Sequence, residues 1–171
     1  MFLIFTIYHK KIGMDYKMAS HPLLCWDIVL EGMVRRKQVK KDLEAIQQIM
    51  QKNQWREVRA AFHEALIWED KTIIVTDNRL NIVYATENLH AMNGYWPAEV
   101  IGQYPTMFQG PATSVDARKT IKMAIDALQP FETKLINYRK NGSLYTCHIE
   151  GFPIFNQEGV PVNFMAIEKA A

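Results

Sequence analysis

The chain has 171 residues, 49% of them hydrophobic and 22% charged, which is enough apolar material to bury a real core in one domain or one domain plus an extension. A formal net charge of +2 is too small to make nucleic acid the main partner. Cys25 and Cys147 lie far apart, in no CxxC or metal-ligand spacing, and read as free thiols in a reducing cytosol.

Met1 to Tyr8 (MFLIFTIY) is apolar but too short to span a bilayer. HKKIG follows it in place of a small-residue cleavage site, so it does not read as a secretory signal, and a cytoplasmic location is expected. Met14 and Met18 offer alternative starts, and residues 1–19 are expected to be disordered or to precede the true start.

Residues 20–69 carry helical period and read as an N-terminal helical extension. Ser20 caps a predicted helix with Pro22 in its first turn, where a missing N–H costs nothing, and Gly32 ends it. Val39, Leu43, Ile46 and Met50 then mark one face of a second helix. Trp55, Val58, Phe62, Ala65 and Leu66 mark a third, with Asn53 as its cap. The basic run Val34 to Lys41 (VRRKQVKK) reads as a solvated connector between helices.

From Lys71 the period switches towards two, and residues 70–171 read as a second, α+β domain. Thr72 to Thr76 and Ile82 to Ala85 are strands around an Asp77-Asn78 turn. Short helices are predicted at Glu87 to Met92 and Pro97 to Ile101, and a longer one at Val115 to Leu128, stopped by Gln129-Pro130. Three strands follow, Phe131 to Tyr138, Ser143 to Phe155 and Pro161 to Lys169, joined by Asn/Gly-containing hairpin turns.

The segment Asn93 to Ser114, NGYWPAEVIGQYPTMFQGPATS, resembles the central segment of the light-oxygen-voltage (LOV) branch of the PAS sensor family. Gly94, Tyr95, Glu99, Val100, Gly102, Gln109, Gly110, Pro111 and Thr113 stand in register with it. The resemblance covers Lys71 to Lys169 and implies the PAS fold, a five-stranded antiparallel sheet with flanking short helices, behind an N-terminal helical extension. It implies a flavin site between sheet and helices, and departs from it at several positions. The family's flavin-attacking cysteine falls on Pro105, and its neighbours, an amide and a phosphate-binding guanidinium, fall on Tyr104 and Thr106. Gln109 is kept, and Lys122 stands in place of a second phosphate-binding arginine, without the bidentate fork that suits phosphate. Asn137 matches an asparagine that pairs with the flavin's pyrimidine edge, its companion falls on Cys147, and a last-strand glutamine falls on Glu168. Glu99 and Lys140 match a surface ion pair of the family, and Gln109-Gly110-Pro111 reads as a turn that needs a glycine conformation.

The candidate pocket is therefore Gln109, Asn137, Lys122, Tyr104 and Cys147, with no cofactor as the leading expectation and FMN or FAD as the alternative. Each lost partner leaves a ligand group unpaired at about 1–3 kcal/mol, so three or four losses exceed about 4 kcal/mol, roughly a thousandfold in affinity. Haem would want a histidine on the longer helix, and Val115 to Leu128 has none. No HExxH, Walker-type glycine loop or GxSxG occurs, so enzyme activity and a metal site are not expected. The expected function is a non-enzymatic PAS-type signalling module acting through protein–protein interaction. A homodimer through the N-terminal helices or the sheet is expected, with a separate signalling protein as possible partner and neither nucleic acid nor membrane. The alternatives are a small-ligand receptor and a non-covalent flavin redox or light sensor.

Overall fold

The structure, a computed structural model, describes residues 22–56, 65 and 71–171, with side chains from 28 onward. The expected Ser20 cap, the Cys25 thiol and the stripe from Val58 to Leu66 lie outside the described residues, except Ala65, which is helical and buried. The chain divides into two compact units, Met1–Arg36 and Lys37–Ala171.

The first described element corrects the expectation of separate helices. Helix α1 runs unbroken over Pro22–Lys52, 31 residues, straight through Gly32. A helical glycine costs about 1 kcal/mol against alanine, too little to stop a run of Arg, Lys, Gln, Glu and Leu, all good helix formers. Arg36 Nε also donates to the Gly32 carbonyl at 3.2 Å. The basic run Val34 to Lys41 is thus part of a helix and not a connector. Asn53 does not open a new helix either. It follows α1 in a turn completed by Gln54 at φ 51°, and Trp55 then bridges to Asn156.

The five strands are β1 Thr72–Asp77, β2 Ile82–Ala85, β3 Phe131–Tyr138, β4 Leu144–Phe155 and β5 Pro161–Ala170. They form one sheet in the order β2-β1-β5-β4-β3, antiparallel throughout. Between β2 and β3 lie α2 Leu89–Asn93, α3 Pro97–Val100, a 3-10 turn Pro105–Phe108, and α4 Val115–Asp126, capped by Ser114.

Alternation along the strands divides the sheet into two faces. Ile73, Val75, Phe152, Ile154, Met165 and Ile167 point to one face, where Ile46 of α1 and Trp55 complete a buried cluster. The expected stripe is therefore used within this unit: Ile46 is buried against the sheet, and Leu43, Ile49 and Met50 pack beside it. Full burial of such a side chain contributes about 1.5–3 kcal/mol. Asn163 ties this face together, accepting from Asn53 Nδ2 and Trp55 Nε1 at 2.8 Å each and donating to the Thr76 carbonyl at 2.8 Å. Buried Asp42 of α1 accepts from the Tyr84 hydroxyl of β2 at 2.5 Å.

The opposite face meets the short helices. Ile74, Ile82 and Ala85 pack on Leu89, Val100 and Phe108, while Leu135, Cys147 and Ile149 pack beside Met92 and the α4 residues Ala117 and Ile121. Exposed apolar side chains include a run in α1, where Ile28, Leu30, Met33 and Val34 are each more than half exposed.

Candidate functional site

A second set of buried polar groups lies on the helix-facing side of the sheet, and strand register brings most of them together. Asn137 of β3 stands opposite Tyr145 of β4, and two residues along β4 on the same face comes Cys147. Glu168 of β5 stands opposite Thr72 of β1 and Ile149 of β4. The Cys147 thiol donates to Glu168 Oε2 at 3.5 Å, the hydrogen bond that links β4 and β5 side chains here. At the far end, Asn93 closes α2, where Gly94 at φ 81° turns the chain and Asn93 Oδ1 accepts from the Tyr95 amide at 3.1 Å. These five side chains form a polar ladder on this face, each residue less than a tenth exposed.

The ladder is electrostatically unusual. Burial pushes the Glu168 carboxyl from 4.5 up to about 7, and the thiol hydrogen bond opposes the rise. Burial, then the neighbouring Glu168 charge, pushes the Cys147 thiol well above its ordinary range, so it stays a neutral thiol. Burial also raises the Tyr145 phenol, and the Asn137 and Asn93 side chains lie close enough to oppose that rise. Three polar atoms of the ladder, Asn93 Nδ2, Asn137 Oδ1 and the Tyr145 hydroxyl, lack a partner in full hydrogen-bond geometry, although both amide side chains approach the phenol. Native interiors leave few such groups unpaired, and each costs about 1–3 kcal/mol. Arg139 lies over the Tyr145 ring at 4.6 Å, but its guanidinium donates to the carbonyls of Met92 at 3.1 Å and Leu144 at 3.2 Å.

Of the five sequence-predicted site residues, the structure brings Asn137 and Cys147 together. Gln109 is half-buried just after the 3-10 turn. Tyr104 is 54% exposed, and Lys122 is an exposed α4 lysine paired with Asp126 at 2.8 Å. Neither Tyr104 nor Lys122 joins the ladder. Asn93 and Tyr145 were not among the candidates, although the i, i+2 spacing of Tyr145 and Cys147 in a strand already placed both on one face. Glu99 and Lys140 form the expected ion pair. Gly110 carries a different constraint from the expected one. Its φ is not positive, but a Cβ there would lie 2.5 Å from the Tyr138 ring, so the glycine is needed for close approach. The Tyr138 hydroxyl accepts from the Ala112 amide at 2.8 Å, and Thr113 Oγ1 donates to the Ile136 carbonyl at 2.6 Å, which pins the QGPAT segment to β3.

A surface recess of about 250 Å³ lined by Pro130, Phe131, Glu132, Glu150, Gly151 and Phe152 holds no part of the ladder. Its carboxylates are engaged, Glu132 with His148 at 2.8 Å and Glu150 with Lys71 at 2.9 Å. Among the described residues no group of three His, Cys, Asp or Glu side chains is placed to hold a metal ion, and no helix is long and apolar enough to cross a membrane.

Comparison with known proteins agrees with this architecture. The sequence profile of the PAS domain matches residues 70–169. A nitrogen fixation regulatory protein of Klebsiella oxytoca is 29% identical over 97 residues, 57% of this chain and 20% of its own length. Protein TWIN LOV 1 of Arabidopsis thaliana is 35% identical over 88 residues, 51% of this chain and 22% of its own. The chain thus spans about a fifth of the length of these curated relatives. A solved LOV domain studied with a flavin analogue superposes with a TM-score of 0.60 at 24% identity, covering 65% of this chain and 84% of that one.

The residues present do not fit a flavin nucleotide. Asn137 Oδ1 is free to accept from a ring N–H, which suits one edge of the ring. At the two positions the family uses for phosphate the described residues offer no free cation, because Lys122 is turned to solvent and paired with Asp126, and Thr106 is uncharged and exposed. Glu168 offers a carboxyl where the family offers an amide donor, and Pro105 offers no nucleophile.

Proposed function

The chain belongs to the PAS domain family, close to its light-oxygen-voltage branch, and from that membership we propose that it is a signal-transduction module that passes information through protein–protein contact, with no catalytic step of its own. The observation that carries this reading is a PAS frame kept intact around an interior whose photochemical position is Pro105. Gly110, Thr113 and the Glu99–Lys140 pair brace the frame, so the fold survives while adduct chemistry at that position has no thiol. Output is proposed to run through a homodimer, with a separate signalling protein as the further partner and the cytosol as the compartment. The exposed Ile28, Leu30, Met33 and Val34 of α1 support that reading, since such an apolar surface is stabilised by a partner. Multi-angle light scattering of the full chain tests it. A dimer that Leu30→Glu with Val34→Glu converts to monomer is the expected result, and a monomer for the unaltered protein would sink it.

A second reading, a receptor for a small ligand, is favoured by the unpaired Asn93, Asn137 and Tyr145 atoms. Native mass spectrometry of protein purified from cells tests that reading through a co-purifying mass.

A further inference from the structure

We propose that Asn141, at the tip of the β3–β4 hairpin, is a site of spontaneous covalent modification, where the side-chain amide is lost to water and aspartate or isoaspartate is left behind.

The chain holds the dipeptide Asn-Gly twice, at Asn93-Gly94 and Asn141-Gly142. There the glycine backbone nitrogen can attack the asparagine side-chain carbonyl carbon, because the glycine has no Cβ to hinder it. A carbon–nitrogen bond forms, and the backbone N–H proton leaves with the side-chain nitrogen as ammonia. The product is a five-membered succinimide. Water adds across one of its two ring C–N bonds and opens it, to aspartate or to isoaspartate. Nothing is oxidised or reduced, and solvent water is the co-reactant.

The two sites share their local geometry. Gly94 and Gly142 turn the chain at φ 81° and 83°, and each asparagine Oδ1 accepts from the backbone amide two residues on, Tyr95 at 3.1 Å and Ser143 at 3.0 Å. Their surroundings separate them. Asn141 Oδ1 also accepts from the Ser143 hydroxyl at 2.7 Å, and a second donor stabilises the negative charge that develops on that oxygen during attack. Asn141, Gly142 and Ser143 are exposed, and a Cβ built on Gly142 would meet nothing within 4 Å. Asn93 is fully buried, out of reach of the water that opens the ring. Attack also requires the glycine N–H to be released from its carbonyl, Arg139 at 2.8 Å at the tip and His90 at 2.8 Å at the end of α2. A hairpin tip releases it by local fraying, whereas the buried α2 end opens with the whole domain.

The new carboxylate stands beside Lys140, which pairs with Glu99 of α3. Isoaspartate also lengthens the main chain inside a turn closed by the Arg139 amide donating to the Ser143 carbonyl at 2.8 Å.

The test is peptide mapping by mass spectrometry of the full chain, kept folded in warm, mildly alkaline buffer for several weeks, beside the same chain unfolded in guanidinium chloride. Unfolded, both asparagines are expected to convert at similar rates. Folded, Asn141 should convert at least about tenfold faster than Asn93, since local opening precedes global unfolding. Ser143→Ala, which leaves the backbone donor in place, should slow conversion of folded Asn141 about threefold or more. Gly142→Ala should suppress it, and circular dichroism checks that both variants are folded. Equal conversion at the two positions in the folded chain overturns the inference. So does an Asn141 that stays intact in the folded chain while it converts in the unfolded one.

Discussion

Glu168→Gln should stabilise the protein at alkaline pH and make little difference in acid. The folded-state carboxyl titrates near 7 against a usual 4.5, because burial disfavours its charged form. A raised acidic group is bound to its proton in the folded state over the range where the unfolded chain has already released it. Stability therefore falls as pH rises from about 4.5 to 7 and is level above. At about 1.36 kcal/mol for each pH unit, the full loss is about 3 kcal/mol, a large share of the roughly 5–15 kcal/mol that holds a domain folded. The groups facing Glu168 do not titrate in that window. Cys147 and Tyr145 are both pushed above it, and Thr72 and Ile149 are uncharged. Asp42 is also raised by burial, but it contributes equally to both proteins and cancels in the difference. Urea denaturation followed by tryptophan fluorescence at pH 5 and pH 8 measures the effect. The variant should lie within about 1 kcal/mol of the wild type at pH 5 and exceed it by up to about 3 kcal/mol at pH 8, less the small loss of the thiol hydrogen bond. Parallel stability profiles for the two proteins across that range would refute the reasoning.

Three further substitutions probe the frame. Asn163→Ala leaves the buried Trp55 Nε1 and the Thr76 carbonyl without their shared partner, and should cost about 2–4 kcal/mol in the same denaturation assay. Tyr84→Phe deprives the buried Asp42 carboxylate of its hydroxyl donor. The expected loss is about 2 kcal/mol at pH 7, shrinking in acid where Asp42 takes up a proton, so a pH-independent loss would argue against a charged Asp42. Gly110→Ala drives a Cβ into the Tyr138 ring and should destabilise by about 1–3 kcal/mol. Adding Tyr138→Ala should recover part of that loss, and double-mutant coupling near zero would show that the contact does not matter.

The strands were legible because both their signals are local. Period-two alternation and the Asn141-Gly142 and Asn156–Gly159 turns need only near neighbours, and β2 and β3 begin and end where the sequence predicts. Helix α1 was misread because a glycine and a basic run look like punctuation, although neither costs enough to end a helix whose Ile46 face is buried on the sheet. Asn53 looked like a cap and instead donates to Asn163, 110 residues away, a partner that no local pattern reveals.

The sequence by itself determined the family frame, the strand order in the chain and the loss of the nucleophile at Pro105, since these are properties of residue type at a position. Only the tertiary structure decided which polar groups meet. Asn137, Cys147 and Glu168 come from β3, β4 and β5, and register places them on one buried face, where Asn93 of α2 approaches Tyr145, while Tyr104 and Lys122 go to solvent. The physical reason is that a polar side chain's energy is set by its partners and its burial, and in this chain both are supplied from distant segments.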